Sequence, residues 1–79
     1  MIKKVSHIED YKLKVEFTNG TVKNIDLFNF ISNSPHHLIH KYLDIDLFKR
    51  FYVDYTVCWG DNDFDINPQK IYQGVYDIV

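Results

Sequence analysis

Hydrophobic and polar residues alternate most regularly near the start of the chain, over residues 11–17. Alternation with a period of two places every second side chain on the same face of a strand. Four apolar side chains would then face a core, and the side chains that face water would be Lys12, Lys14 and Glu16. The pair Asn19-Gly20 follows, and it is typical of a two-residue type I′ turn with two positive-φ positions. The pattern therefore predicts a β-hairpin.

Two further strands are predicted around this hairpin. Residues 2–8 are rich in β-branched side chains and end at turn formers, so we expect them to pair with the strand that follows. The return strand, residues 22–25, fits the hairpin imperfectly. A two-residue turn places Asn24 on the core face, whereas a three-residue turn places Lys23 there. A bulge near these two residues would resolve the conflict.

Helix-start residues mark the middle and the end of the chain. Asp26 precedes an apolar cluster at helical spacing, and Ser34 followed by proline is a second start signal. A helix is predicted over residues 35–43, and Asp44 caps a further turn, so the stretch to residue 50 forms either one kinked helix or two short ones. Asn67, again followed by proline, starts a last helical turn.

The second strong strand pattern covers residues 51–59, where aromatic and β-branched residues alternate with polar ones. Trp59 ends the face that also holds Val53 and Tyr55, and this predicts a core position for the indole. A tight turn at residues 54 and 55 would instead divide the stretch into two strands. Residues 64–66 form a further short strand after a polar turn.

These patterns predict a single α+β domain over residues 1–79. Its antiparallel sheet would hold about four to six short strands, including the N-terminal hairpin, with two or three short helices on one face.

Composition narrows the function classes. Hydrophobic residues make up 46% of the 79 residues, which excludes a disordered chain. The single cysteine, Cys58, has no internal disulfide partner, and no apolar run is long enough to span a membrane, so we expect a cytoplasmic location.

The net charge of −2 argues against direct binding to DNA, which rests on a basic surface. Lysines gather near the start and aspartates near the end, so the molecule is expected to be dipolar.

Three histidines in the helical middle are the first candidates for chemistry. The spacing of His36, His37 and His40 could place two imidazoles on one metal ion. Two histidines are only half of a metal site, however, and a solvent-facing helix surface is the better explanation of these residues.

Alternating carboxylates and the cysteine are the remaining candidates. Asp61, Asp63 and Asp65 resemble the opening of a calcium loop, but Ile66 stands where such loops need glycine. Cys58 lies within a predicted strand, where a small buried residue is the ordinary occupant and no group is seen that would activate the thiol. We therefore expect no catalytic residue, no metal and no cofactor.

A series of motifs runs in order along most of the chain. It consists of a Leu-x-Val-x-Phe strand followed by glycine, an Asp-Leu pair, a helix that ends in Leu-Phe, a strand that ends in tryptophan, and a closing Asp-Ile-x-Pro-x-x-Ile-Tyr segment. The positions are Leu13, Val15, Phe17, Gly20, Asp26, Leu27, Leu47, Phe48, Trp59, Asp65, Ile66, Asn67, Pro68, Gln69, Lys70, Ile71 and Tyr72. This series resembles a small bacterial family, domain of unknown function 2442. Residues 36–40 and 73–79 lie outside the pattern.

The resemblance implies an α+β fold without known catalytic residues. It also implies that some members are joined to a helix-turn-helix domain, and that some are encoded beside another small protein in a toxin–antitoxin type of arrangement. No helix-turn-helix follows in this sequence, so direct DNA binding is not expected.

The end of the chain is too apolar for a frayed terminus. The candidate partner-binding residues are Val75, Tyr76, Ile78 and Val79, because an extended apolar segment adds to a sheet edge, either its own or that of another molecule. The favoured function is non-enzymatic protein binding, with another small protein or a second copy as the partner, in the antitoxin-like role that the resemblance implies. The alternatives are a nucleic-acid accessory module and a metal-binding or enzymatic protein that uses His36, His37 and His40.

Overall fold

The structure, a computed structural model, describes residues 1–78, and within them it contains six strands and five short helical segments. The elements are β1 (Ile2–Glu9), β2 (Lys12–Phe17), β3 (Val22–Asp26), α1 (Phe28–Ser32), α2 (His37–His40), a 3-10 helix (Lys41–Leu43), α3 (Ile45–Phe48), β4 (Tyr52–Val53), β5 (Val57–Trp59), β6 (Phe64–Asp65) and α4 (Pro68–Tyr72).

The α+β class and the number of strands are confirmed. The strands form two antiparallel sheets, ordered β1-β2-β3 and β4-β5-β6, because the helical middle of the chain separates the two groups. Helical segments outnumber the predicted two or three, since the predicted middle helix is broken into pieces.

The N-terminal hairpin is confirmed, but its turn is not the predicted I′ type. Phe17 donates its N–H to the carbonyl of Thr21 at 2.8 Å, and Gly20 donates back to the carbonyl of Phe17 at 3.0 Å. The loop therefore has three residues, and Gly20 with φ of +90° is the one loop residue in the left-handed region. This geometry is a tight turn followed by a glycine bulge, which suits a three-residue loop.

The three-residue loop also decides the register of the return strand. Lys23 lies opposite Val15 and Lys14 lies opposite Asn24, with no shift along β2 and β3, so the bulge predicted near residues 23 and 24 is wrong. Register shifts occur between β1 and β2 instead. Lys23 accordingly shares the core side of the sheet with Val15, and its side chain keeps 25% of its surface exposed at the edge of the core.

Two of the four predicted caps hold the N-cap position of a helix. Asp44 accepts from the N–H of Asp46 at 2.9 Å, and Asn67 accepts from that of Gln69 at 2.8 Å. The Asp26 carboxylate accepts from the N–H of Phe28 at 2.9 Å but lies one residue before the N-cap of α1, Leu27. Ser34 accepts from the N–H of His36, and α2 begins only at His37, so the predicted start of this helix at residue 35 is wrong. Asp44 has an extended backbone with ψ of 114°, which ends one helical run and starts the next. The open choice over residues 35–50 is thus settled as short separate segments rather than one kinked helix.

The stretch 51–59 consists of two strands, β4 and β5, joined by a turn over residues 54–56. This confirms the alternative prediction of two strands rather than one. The turn changes which side chains face inward. Val53 is 40% and Tyr55 is 53% exposed, so the prediction that they share the core face of Trp59 is wrong. Thr56 is fully buried instead, and its hydroxyl donates to the carbonyl of Ile66 at 2.6 Å.

Trp59 is at the centre of the core, as predicted. It is fully buried, and its indole N–H donates to the carbonyl of Phe48 at 2.7 Å. Its ring stacks on Phe64 with 4.5 Å between ring centroids and 3° between the planes. The first sheet, the second sheet and the helices all contribute to this one core, whose fully buried members include Leu13, Val15, Ile25, Leu27, Ile31, Phe48, Val57 and Ile71.

Candidate functional site

An apolar cleft of about 250 Å³ lies where the hairpin turn meets α4. Its walls come from three distant parts of the chain: the N-terminus with the hairpin, the β4–β5 turn, and α4. The lining residues are Met1, Phe17, Thr18, Asn19, Tyr55, Pro68, Gln69 and Tyr72. We call this feature the tyrosine cleft. Met1 at 77%, Tyr55 at 53% and Tyr72 at 45% exposure leave large apolar surface open to water.

Tyr72 is held in place by neighbours on the hairpin. Its ring packs edge-on against Phe17, with 5.1 Å between centroids. Its hydroxyl accepts from the amide of Asn19 at 3.1 Å and lies 3.5 Å from the Thr21 hydroxyl, which also donates to it. The bonds from Thr21 and Asn19 stabilise the ionised form, so they lower the pKa of Tyr72. The ring is therefore fixed while part of its surface stays exposed.

Tyr55 is anchored in a different way. Its hydroxyl donates to the carboxylate of Asp65, and this bond, more than desolvation, raises the pKa of Tyr55 to about 12. The hydroxyls of both cleft tyrosines are thus already bonded within the protein. What the two rings offer to a ligand is their apolar surface.

The tail, which we define as residues 75–78, lies along the outer edge of β3. The carbonyl of Tyr76 accepts from the N–H of Asp26 at 3.0 Å, and the N–H of Ile78 donates to the carbonyl of Asn24 at 3.1 Å. These bonds form one antiparallel bridge, and no longer ladder is present in the described part of the tail, so the predicted final strand is reduced to a single contact. Val79 lies outside the described residues.

The side chains of the tail are unevenly buried. Tyr76 is half-buried, with its ring edge-on to Phe30 at 6.0 Å, and burial raises its pKa. Val75 is 60% and Ile78 is 41% exposed. The structure thus places the candidate residues on the edge of the chain's own first sheet, with two of them open to solvent. Their role in binding a partner stays a prediction.

The histidines do not come together around a site. His36, His37 and His40 are all exposed on the first turns after Pro35. Within residues 1–78, no three side chains among histidine, cysteine, aspartate and glutamate are arranged to hold a metal ion.

Two of the three alternating aspartates, Asp63 and Asp65, bind different partners. Asp63 accepts from the hydroxyl of Tyr42 at 2.6 Å and pairs with the Lys41 ammonium at 2.9 Å, and these contacts lower the pKa of Asp63. Asp65 accepts from Tyr55, and Asp61 is exposed. The stretch is therefore a structural turn whose carboxylates fasten neighbouring elements.

Cys58 occupies the middle of β5, on the side opposite the core-facing Val57 and Trp59. It is 7% exposed, and its thiol lies 3.5 Å from the carbonyl of Thr56. Burial raises the pKa of the Cys58 thiol, followed by the repulsion of Asp65. Both effects keep it in the unreactive protonated form.

The tyrosine cleft was missed by reasoning from the sequence. Its residues are far apart in the chain, and alternation predicts a core position for Tyr55. The available signal was the alternative of a tight turn at residues 54 and 55, which Asp54 favours and which places the tyrosine at an exposed tip.

Comparison with known proteins identifies a family but no characterised relative. The model of one family, described as a protein of unknown function (DUF2442), matches residues 2–77. The match extends to residue 77, so the family pattern reaches further towards the end of the chain than predicted. No curated protein and no solved structure matches the chain. Among residues 1–78, no helix combines the length and the apolar composition needed to cross a bilayer.

Proposed function

Since the chain belongs to the DUF2442 family, whose function is not assigned, we propose from its geometry that it is a non-enzymatic protein-binding domain. The observation that carries this proposal is the tyrosine cleft, an exposed apolar depression whose two tyrosine rings are fixed by hydrogen bonds of their own hydroxyls.

The chemistry of the cleft favours apolar side chains on an extended segment of another protein. Tyrosine is enriched among the residues that contribute most to protein interfaces, because it supplies a large contact area with few rotatable bonds. Tyr55 and Tyr72 lose little further freedom on binding, since their hydroxyls are anchored before the partner arrives. Such preorganisation lowers the entropic cost of association.

The charges of the first sheet argue for a protein rather than a nucleic acid as the partner. On its outer face, Lys4 lies opposite Glu16, and Lys12 lies between Glu9 and Asp26. Carboxylates next to the ammonium groups weaken the attraction for phosphates, on which nucleic-acid binding depends. A partner in the form of a second small protein also suits the antitoxin-like role that the family resemblance implied.

A capture experiment with matched variants tests the proposal. Wild-type protein, Tyr55→Ala, Tyr55→Phe and Tyr52→Ala are immobilised and exposed to lysate of the native cell, and the retained proteins are identified by mass. Tyr52 is the control because it is 47% exposed and does not line the cleft. We expect one protein to be retained by wild type and Tyr52→Ala, to be retained more weakly by Tyr55→Phe, which keeps the ring but loses its anchor on Asp65, and to be lost with Tyr55→Ala.

Three other outcomes would contradict the proposal. Retention of the same protein by all four variants would move the binding surface away from the cleft. Salt-sensitive binding of oligonucleotides with no retained protein would favour the nucleic-acid module. A zinc titration that shifts the resonances of His36, His37 and His40 would favour the metal-binding alternative.

A further inference from the structure

One glycine sets the direction in which the tail leaves α4. Gly74 has φ of +90°, its N–H donates to the carbonyl of Ile71, and the N–H of Val75 donates to that of Lys70, both at 3.1 Å. These two bonds are the pair that defines a Schellman motif, which ends a helix and reverses the chain. The N–H of Asp77 then donates to the carbonyl of Gly74 at 3.2 Å. The tail is therefore a short arm that leaves α4 at Gly74.

One charge pair forms where the arm lies on β3, and we call this position the seat. The ammonium of Lys23 lies 3.4 Å from the carboxylate of Asp77. Lys23 is also the charged residue that the hairpin register places beside Val15 on the core side of the sheet. In the described structure Asp77 is the carboxylate that pairs with this lysine, so the arm has a defined register and a defined electrostatic partner on the edge.

The seated arm leaves apolar surface uncovered around it. Val75 at 60% and Ile78 at 41% exposure belong to the arm, and Val22 at 47% exposure begins the strand on which it lies. Exposed apolar side chains gathered along a sheet edge favour association with another molecule that can cover them.

We propose that two copies of this chain exchange their tails, so that each tail seats on β3 of the other copy. Reciprocal exchange reproduces every contact of the tail with the edge, including the Lys23–Asp77 pair, and adds contacts between the copies. The four tail residues reach at most roughly 14 Å when extended, so the two β3 edges must face each other. The exposed Val75 and Ile78 side chains of both copies then lie in one shared interface. This interface is separate from the tyrosine cleft and goes beyond the proposed function.

Charge reversal at the seat tests the exchange. Lys23→Glu alone and Asp77→Lys alone each place two like charges at the seat, whether the tail stays on its own chain or is exchanged within a homodimer. When the two variants are mixed, a heterodimer with exchanged tails restores both opposite-charge pairs. The double variant Lys23→Glu/Asp77→Lys is the control, because it restores the pair within each chain. Native mass spectrometry, with one variant labelled with ¹⁵N, resolves the three dimers.

By light scattering, we expect the wild-type protein to be a dimer and the protein without residues 75–79 to be a folded monomer. In the mixture of the two single variants, we expect the mixed dimer in roughly tenfold excess over either homodimer. A variant that is unfolded alone and folds on mixing supports exchange equally. Three results would overturn it. The first is a wild-type protein that is monomeric at every concentration, and the second is a dimer that survives removal of the tail. The third is a folded double variant together with single variants that either pair at random or stay unfolded when mixed.

Discussion

Replacement of Trp59 by alanine is the most severe single change that the structure predicts for this domain. The indole is fully buried, stacks on Phe64 and donates to the carbonyl of Phe48. Alanine removes the ring and leaves a cavity between the two sheets. It also leaves a buried carbonyl without its donor.

The magnitude follows from the area and the hydrogen bond. A buried aromatic side chain covers roughly 150–250 Å², worth about 4–6 kcal/mol at about 25 cal/mol per Å². Aromatic-to-alanine changes in cores cost about 3–5 kcal/mol. A domain of this length has a free energy of unfolding of about 4–12 kcal/mol. Trp59→Ala should therefore remove between about a quarter and all of the stability.

Urea unfolding followed by far-ultraviolet circular dichroism measures this loss, since Trp59 is the single tryptophan and its fluorescence disappears with the substitution. Trp59→Phe separates the two contributions, because it keeps a ring but leaves the Phe48 carbonyl unpaired, at about 1–3 kcal/mol. Tyr52→Ala, an exposed aromatic, is the matched control and should cost under about 1 kcal/mol. A Trp59→Ala protein within about 1 kcal/mol of wild type would refute the reasoning.

Four further experiments have expected outcomes. Gly20→Val should cost about 1–2 kcal/mol, because valine resists φ of +90° even though a Cβ there meets no atom within 4 Å, and an unchanged melting temperature would contradict the turn. The Tyr42 hydroxyl lowers the pKa of Asp63, so the bond stabilises the fold above the ordinary carboxyl pKa and is lost as the pH falls through the lowered one. Tyr42→Phe should move the acid unfolding midpoint, followed by circular dichroism, to higher pH. Burial raises the pKa of Tyr42 to about 12, so stability from this group is complete below the usual tyrosine pKa of 10.0 and is lost as the pH rises towards 12, and absorbance of tyrosinate should show its late ionisation. Cys58 should react with a thiol reagent only as fast as the protein unfolds, and modification of the native state at the rate of a free thiol would argue against its burial.

Local chemistry in the sequence was sufficient to predict most elements of the fold. Asp44 and Asn67 cap the helices that follow them. Such caps are predictable because the side-chain oxygen bonds to an N–H only two residues further along the chain. The register of the hairpin was not predicted. It depends on whether the loop has two or three residues. The three-residue loop places Lys23 at the edge of the core, where its ammonium pairs with Asp77 from the far end of the chain.

The tyrosine cleft also depends on contacts between residues that are far apart in the chain. Tyr55 reads as a core residue in a nine-residue alternating stretch, and it becomes exposed because the chain turns over residues 54–56. Met1, Phe17 and Tyr72 meet it only through the packing of α4 on the first sheet. Periodicity reports which face of a single element is apolar, and a site built from several elements requires their relative placement.

The seating of the tail on β3 also has a consequence for the order of folding. Both sheets join strands that are neighbours in the chain, so their pairing closes only short loops and can form rapidly. The bridge between Ile25 and Asp77 instead closes a loop through most of the chain, which carries a larger entropic cost. We expect the tail to dock last, so that changes at Asp77 accelerate unfolding and leave the folding rate unaltered. Before the tail docks, the β3 edge is open. The concentration of other newly folded chains then decides whether the tail of the same chain or the tail of another chain binds this edge first.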